Sequence, residues 1–392
     1  MSGTEIGFGI LGSGNMARVY GDALGTQVEG GRLVAVALGS RAPGLAAEFG
    51  VAAEATAEAL VARKDVDVVV VATPHSTHVA LALLAAQAGK HVYLEKPMAL
   101  DVAECDTIIE ACRAAGVQLT IAKQTRHMEM SMRAKEYLDQ GLIGELLYLR
   151  PMSVTPGAGF ASVENHWAYD PNEGDAFLDW GSHACDAVRW FSGADAVRVY
   201  ADYDNFTGLP LESPTASVQI RLSTRAIAQI LLCYEIGPSG FGSRRNNQYQ
   251  LLGTEGSIFW DLDRVELVTG ARDERIWELP SWTLPDFKPR DPRRIGNTAR
   301  QINDFITALR DGHAPKITGA DGRAAIEMTQ AAKLSAQTHR AVHLPLTANE
   351  ASTGESAAAA AAGSAAVSSA AGSGAASSAV AGSAQPTSGG PA

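Results

Sequence analysis

Residues 66–73 read VDVVVVAT, a continuous apolar run. Such a run suits a strand buried on both faces, the situation created when helices cover both sides of a parallel sheet. The neighbouring segments have the matching rhythm. IGFGILG (6–12) and LVAVALGS (33–40) read as earlier strands, and HVYLEKP (91–97) and VQLTIAKQ (117–124) as later ones. Between them SGNMARVYGDAL, STHVALALLAAQAG (76–89) and a segment near 101–115 have helical spacing. Strand and helix in alternation define a doubly wound parallel sheet. The expected fold class is therefore α/β, with a Rossmann domain over residues 1–124.

The first strand-to-helix turn holds Gly12, Gly14, Asn15, Met16 and Ala17 in a G-x-G-x-x-A pattern. Gly12 permits the tight turn, Gly14 lets the backbone approach a pyrophosphate, and Ala17 allows close packing of helix on strand. The helix N-terminus then offers unpaired N–H groups to the anion. At the end of the second strand an NAD site usually carries an acidic residue, bonded to the ribose 2′-hydroxyl. Here the chain has Gly39-Ser40-Arg41. A hydroxyl and a guanidinium both suit a 2′-phosphate, so NADP is favoured over NAD.

Ligands of open α/β sheets sit beyond the carboxyl ends of the strands. Thr73, Pro74 and His75 follow the third strand and Glu95-Lys96-Pro97 ends another, so both segments face one crevice. Pro97 fixes its own φ and restricts Lys96 to an extended conformation. A cis Lys96–Pro97 bond is expected. A second constellation lies in GDAFLDWGSHACDAVRWFSG, where Trp180, Ala184, Ala187 and Phe191 recur at helical spacing. Asp179 and His183 stand four apart and share a helix face, with Asp186 close to it. A histidine paired with a carboxylate in a cavity suits proton transfer.

These segments resemble the Gfo/Idh/MocA family of oxidoreductases, named for glucose–fructose oxidoreductase and inositol dehydrogenase. The resemblance is carried by the glycine turn, by TPHSTHVALALLAAQAGKHVYLEKP (73–97), by DWGSHACDAVRW (179–190) and by TGADGRAAIEMTQAAKLSAQTHRAVHLPL (318–346). It implies a catalytic set of Lys96, Asp179 and His183. Hydride would pass between the substrate C–H and the nicotinamide, and a proton between the substrate oxygen and His183. Asp179 would orient or share that charge, and Lys96 would stabilise the developing alkoxide. The cofactor residues expected are Gly12, Gly14, Asn15, Met16, Ala17, Ser40, Arg41, Thr73, Pro74, His75, His78, Glu95 and Lys96. Arg126, Trp167 and His183 are candidates for substrate contact, with His166 and Tyr169 beside them. No metal site is expected. The activity implied is a dehydrogenase or reductase acting on a sugar, polyol or related molecule. Two alternatives share the fold: an enzyme that cleaves or epimerises a glycoside with internally recycled NAD(P), and a non-catalytic cofactor sensor.

From about residue 125 to 346 strand-like runs dominate, from GELLYLRPMSV to RVELVTG. They suggest an α+β domain with an open, largely antiparallel sheet for substrate binding and oligomerisation. By the same resemblance a homodimer or homotetramer is expected. The Ala/Ser/Gly stretch 347–392 reads as a disordered tail. A net charge of −11 argues against a general nucleic-acid binder. Arg244-Arg245 and Arg290/Arg293/Arg294 read as solvated loop charges. No apolar run is long enough to span a bilayer, and the first residues lack the basic start of a secretory signal. The expected location is the cytoplasm. The four cysteines show no metal or disulfide spacing.

Overall fold

Val68 to Val71 are all fully buried, and alternate valines enter opposite cores. The structure, a computed structural model, describes residues 5–156, 169–236, 247–270, 274–278 and 291–351, with the backbone alone for Pro156, Asn247 and Glu274. His166 and Trp167 lie outside the described residues.

The first sheet contains β1 (Ile6–Leu11), β2 (Gly31–Ala37), β3 (Ala52–Glu54), β4 (Val68–Val71), β5 (His91–Leu94) and β6 (Leu119–Ile121). All of its pairings are parallel, in the order β3-β2-β1-β4-β5-β6. That is the dinucleotide-binding order, with its crevice at the strand-order reversal beside β1 and β4. Five helices connect the strands: α1 (Asn15–Thr26), α2 (Ala42–Phe49), α3 (Ala57–Val61), α4 (His78–Gln87) and α5 (Val102–Ala114). Val69 and Val71 pack with Leu60 and Ile108 on one face, and Val68 and Val70 with Tyr20 and Tyr93 on the other.

The second sheet comprises β7 (Leu146–Pro156), β8 (Ala196–Asp204), β9 (Thr215–Leu222), β10 (Ile227–Ile236), β11 (Asn247–Gly253), β12 (Gly256–Trp260), β13 (Arg264–Thr269), β14 (Glu274–Glu278) and β15 (Val342–His343). Its order is β14-β13-β12-β11-β7-β10-β9-β8-β15. Only β7 and β10 pair in parallel. Burial alternates along β9, as it must when one face is covered. The covered face packs on α6 (Glu129–Asp139), α7 (Ser182–Ser192) and α9 (Gly319–Thr338).

One helix changes the domain picture. Arg293 and Arg294, expected to be solvated loop charges, instead lie in the first turn of a helix, α8 (Pro292–Asp311). Asp291 caps it by accepting from the Arg293 backbone N–H at 2.8 Å, and Pro292 opens it. Its apolar stripe, Ile295, Ala299, Ile302, Phe305 and Ile306, joins the core of the first sheet. Ile326 of α9 likewise packs under the first sheet, while Ala325 and Met328 serve the second. A boundary at 124 thus separates the sheets but not their helical layers, and both belong to one unit, Met1–Ala351.

Residues 347–351, expected to belong to the tail, are part of the described fold. Ala351 N donates to Thr347 O at 2.9 Å, and Gln330 of α9 donates to the carbonyls of Glu350 and Ala351. Residues 352–392 lie outside the described part. No helix among the described residues is long and apolar enough to cross a membrane.

Candidate active site

A cleft of about 1660 Å³ runs from the glycine turn to Asp179 and His183, and its far wall is the first turns of α8. Gly12 adopts φ +121°, and a Cβ there would stand 2.3 Å from Ala72 O, so only glycine fits between β1 and β4. Gly14 is the N-cap of α1 and provides no side-chain acceptor. The first N–H groups of that helix are thus unclaimed by any cap and lie at the cleft, as an anionic group requires. Asn15 and Met16 also line the cleft, whereas Ala17 is buried against the core. These residues fit a dinucleotide phosphate.

β2 ends in a sharp turn, with Leu38 at φ 68° and Gly39 at φ 83°. The turn carries Arg41 to the cleft, where its Nη2 stands 4.0 Å from the point a Gly14 Cβ would occupy. Ser40 is exposed between the lining residues Gly39 and Arg41, so Arg41 is the side chain that this turn presents to the cleft wall.

Two short turns hold the catalytic end. Thr73 and Pro74 line the cleft, followed by the turn His75–Thr77. His75 Nδ1 donates to Glu173 O at 2.8 Å, which leaves Nε2 as the acceptor, 3.9 Å from Asp179 Oδ1. Burial above all lowers the His75 pKa to about 4, so the ring is neutral at pH 7. Glu173 also accepts from Ser76 N and Ser76 Oγ, at 3.1 and 2.6 Å. It therefore ties the chain just before Asp179 to the first sheet. His78, expected at the cofactor, is instead fully buried. Its ring lies 2.9 Å from Pro97 O and 3.1 Å from Thr73 O, so it joins the two crevice turns from beneath.

Glu95 is buried at the cleft floor. It accepts from Tyr20 Oη at 2.6 Å and from the Lys96 backbone N–H at 2.9 Å. Lys96 follows it, and the Lys96–Pro97 bond is cis. The Lys96 ammonium is paired with the Asp179 carboxylate. Burial would raise the Asp179 pKa, but Lys96 and then His75 hold it below the usual carboxylate value.

Asp179 does not sit on the regular helix that its spacing suggests. Phe177–Gly181 form a π-helical turn, and α7 begins at Ser182. Such turns recur at functional sites because they re-aim side chains. His183, in the first turn of α7, also lines the cleft. Its Nδ1 is buried without a hydrogen-bond partner among the described residues. Burial, then Lys96 and Lys123, push the imidazole well below its ordinary value, against the pull of Asp179.

Arg126 does not reach the cleft. Its guanidinium is bidentate to Asp186, at 2.6 and 2.8 Å, and also meets Asp321 at 3.2 Å. A buried carboxylate demands such a partner, so charge balance rather than substrate contact accounts for this arginine. Tyr169 packs against the second sheet's core. Several cleft residues escaped sequence reasoning. Trp180 and Tyr249 line the cleft, as do Arg293, Arg294, Asn297 and Arg300 of α8. The signal for the last four was present in the stripe from Ile295 to Ile306, preceded by Asp291-Pro292. Lys123, fully buried below the site, donates to Ser182 O at 2.9 Å. Nothing in its local sequence marks it.

An anion-ready turn at the sheet's switch point, and a lysine, a carboxylate and a neutral imidazole at the same cleft, define a dinucleotide-dependent oxidoreductase. Comparison with known proteins makes the class specific. The description "Oxidoreductase family, NAD-binding Rossmann fold" matches residues 6–123, and "GFO/IDH/MocA C-terminal domain" matches residues 131–259. The chain belongs to the Gfo/Idh/MocA family of oxidoreductases. It is 28% identical over 294 residues to the myo-inositol 2-dehydrogenase of Thermotoga maritima, covering 73% of this chain and 82% of that one. The scyllo-inositol 2-dehydrogenase (NAD(+)) of Bacillus subtilis is 27% identical over 336 residues, 82% of this chain and 92% of its own length. A probable dehydrogenase from Thermotoga maritima superposes with a TM-score of 0.72 at 26% identity, covering 86% of this chain and 99% of the other.

Proposed function

We propose that the protein oxidises a secondary alcohol of a polyol or sugar, or reduces the matching ketone, with NADP favoured over NAD. The observation that carries the reading is the facing of Lys96, Asp179 and His183 into the cleft that starts at the glycine turn. The inositol dehydrogenases among its relatives support the substrate class. Arg41 at the glycine turn, with no carboxylate at the end of β2, supports the cofactor preference. When bound, the dinucleotide supplies the acceptor for the two electrons of the substrate C–H bond. Lys96 donates to the substrate oxygen and stabilises charge there as the O–H proton leaves. His183, neutral at pH 7, accepts that proton on its imidazole. Asp179 keeps the Lys96 ammonium in place between reactions.

The test is nicotinamide absorbance with the purified protein, a panel of polyols and aldoses, and NAD+ and NADP+ in parallel. Accumulation of reduced cofactor with NADP+ supports the whole reading. Accumulation with NAD+ alone keeps the enzyme and discards the role of Arg41. Tight cofactor binding without accumulation favours internal recycling or a sensor. We further propose a cytoplasmic homodimer or homotetramer built on the uncovered sheet face, where Leu147, Tyr200 and Phe259 are exposed. A monomer in sedimentation at micromolar concentration would sink that assembly.

A further inference from the structure

Arg294 belongs to α8, far along the chain from the glycine turn, yet its Nη2 lies 2.9 Å from Met16 Sδ. A thioether is a weak acceptor and leaves the guanidinium charge uncompensated. Arg41 reaches the same turn from the end of β2. Among the described residues neither arginine has an ion-pair partner. Of the other cations at or near the cleft, Lys96 is paired with Asp179 and Arg126 with Asp186, Arg293 stands 3.7 Å from Asp291, and Arg300 donates to His127 O. Glu95, a carboxylate of the cleft floor, is already taken by Tyr20 and the Lys96 N–H. Two uncompensated guanidinium groups thus flank the uncapped N-terminus of α1, one after β2 and one from α8.

We infer that Arg41 and Arg294 form a two-sided anion clamp, Arg294 holding the dinucleotide's diphosphate and Arg41 its 2′-phosphate. The assignment rests on the dinucleotide reading above and extends it to a residue of α8. Its physical basis is that a guanidinium presents paired donors matched to phosphate oxygens, and such charge-assisted bonds are strong. The clamp also makes the phosphates a bridge between the glycine turn and α8, so cofactor binding fixes the cleft width.

The experiment is calorimetric titration of the full chain with NADPH, NADH and ADP-ribose, which needs no turnover. For Arg294→Met all three ligands should weaken alike, by roughly 10- to 100-fold, and Arg294→Lys should recover part of the loss. For Arg41→Met only NADPH should weaken. Unchanged binding of all three by Arg294→Met overturns the clamp, and weakening of NADPH alone overturns the diphosphate assignment. If the Met variant unfolds, the Lys variant decides by the same comparison. Equal binding of NADH and NADPH by the parent protein would discard the NADP preference. The role of Arg294, read from NADH and ADP-ribose, would survive it.

Discussion

Lys96 is the residue on which the proposed chemistry turns. Lys96→Met should lower turnover by at least about 100-fold, the scale of one lost oxyanion donor. Calorimetry should find nucleotide affinity within about threefold, because the glycine turn is untouched. Surviving turnover would remove the lysine from the mechanism. His75 carries a second prediction, about pH. Its folded pKa of about 4 lies below the ordinary 6.5, so the unfolded chain binds the proton more readily between those values. Stability is therefore full above pH 6.5 and falls as pH drops toward 4, by up to about 3 kcal/mol from this ring. Urea unfolding across that range should show the slope, and His75→Gln should reduce it while His183 and His78, also held below the ordinary value, keep the remainder. Equal slopes in both proteins would assign the effect to other groups. Residue types at this scale were legible: strand ends and helical spacing singled out Lys96, Asp179 and His183, and the family resemblance implied their roles. Lys123 and Arg294 were not, because their positions depend on contacts made across the fold.

Among the elements, the π-turn Phe177–Gly181 is the one that carries Asp179. Gly181 has ordinary helical angles, φ −61° and ψ −28°, so alanine is not excluded by its backbone. A Cβ there, however, would stand 2.8 Å from the buried Phe177 ring. Gly181→Ala should cost about 1–3 kcal/mol and shift the turn that carries Asp179. Turnover should fall about tenfold or more with cofactor affinity unchanged, since small displacements of catalytic groups are expensive. Lost stability with intact turnover would show that the turn's geometry is not needed. Periodicity predicted a plain helix here because Trp180, at the end of the π-turn, stays in helical spacing with Ala184, Ala187 and Phe191. The same periodicity, present in α8, was obscured by arginines that look like loop charges.

At the scale of the whole molecule, polar ties unite the parts that the two sheets keep separate. Arg126 follows β6, yet it balances Asp186 on α7 and Asp321 on α9. Asp304 of α8 similarly accepts from His127 at 3.0 Å. The Asp186 side chain is only 1% exposed. Arg126→Met leaves it buried and unpaired, which should cost about 3–5 kcal/mol. Chemical denaturation should register that loss, while KM stays within about threefold because Arg126 lies outside the cleft. A tenfold rise in KM with stability intact would return Arg126 to the substrate site.

What the sequence determined by itself was local. Apolar runs chose the strands, the glycine pattern chose the first turn, and a lysine at a strand end chose the crevice. Each signal lies within a few consecutive residues, where strand and helix periods and glycine sterics act directly. The tertiary structure decided which distant groups meet. It placed α8 over the first sheet, turned Arg293 and Arg294 into the cleft, and withdrew Arg126 and His78 into supporting roles. Those outcomes follow from burying one apolar stripe against another and from pairing buried charge. Both are set by contacts between residues far apart in the chain, and no short stretch of sequence encodes them.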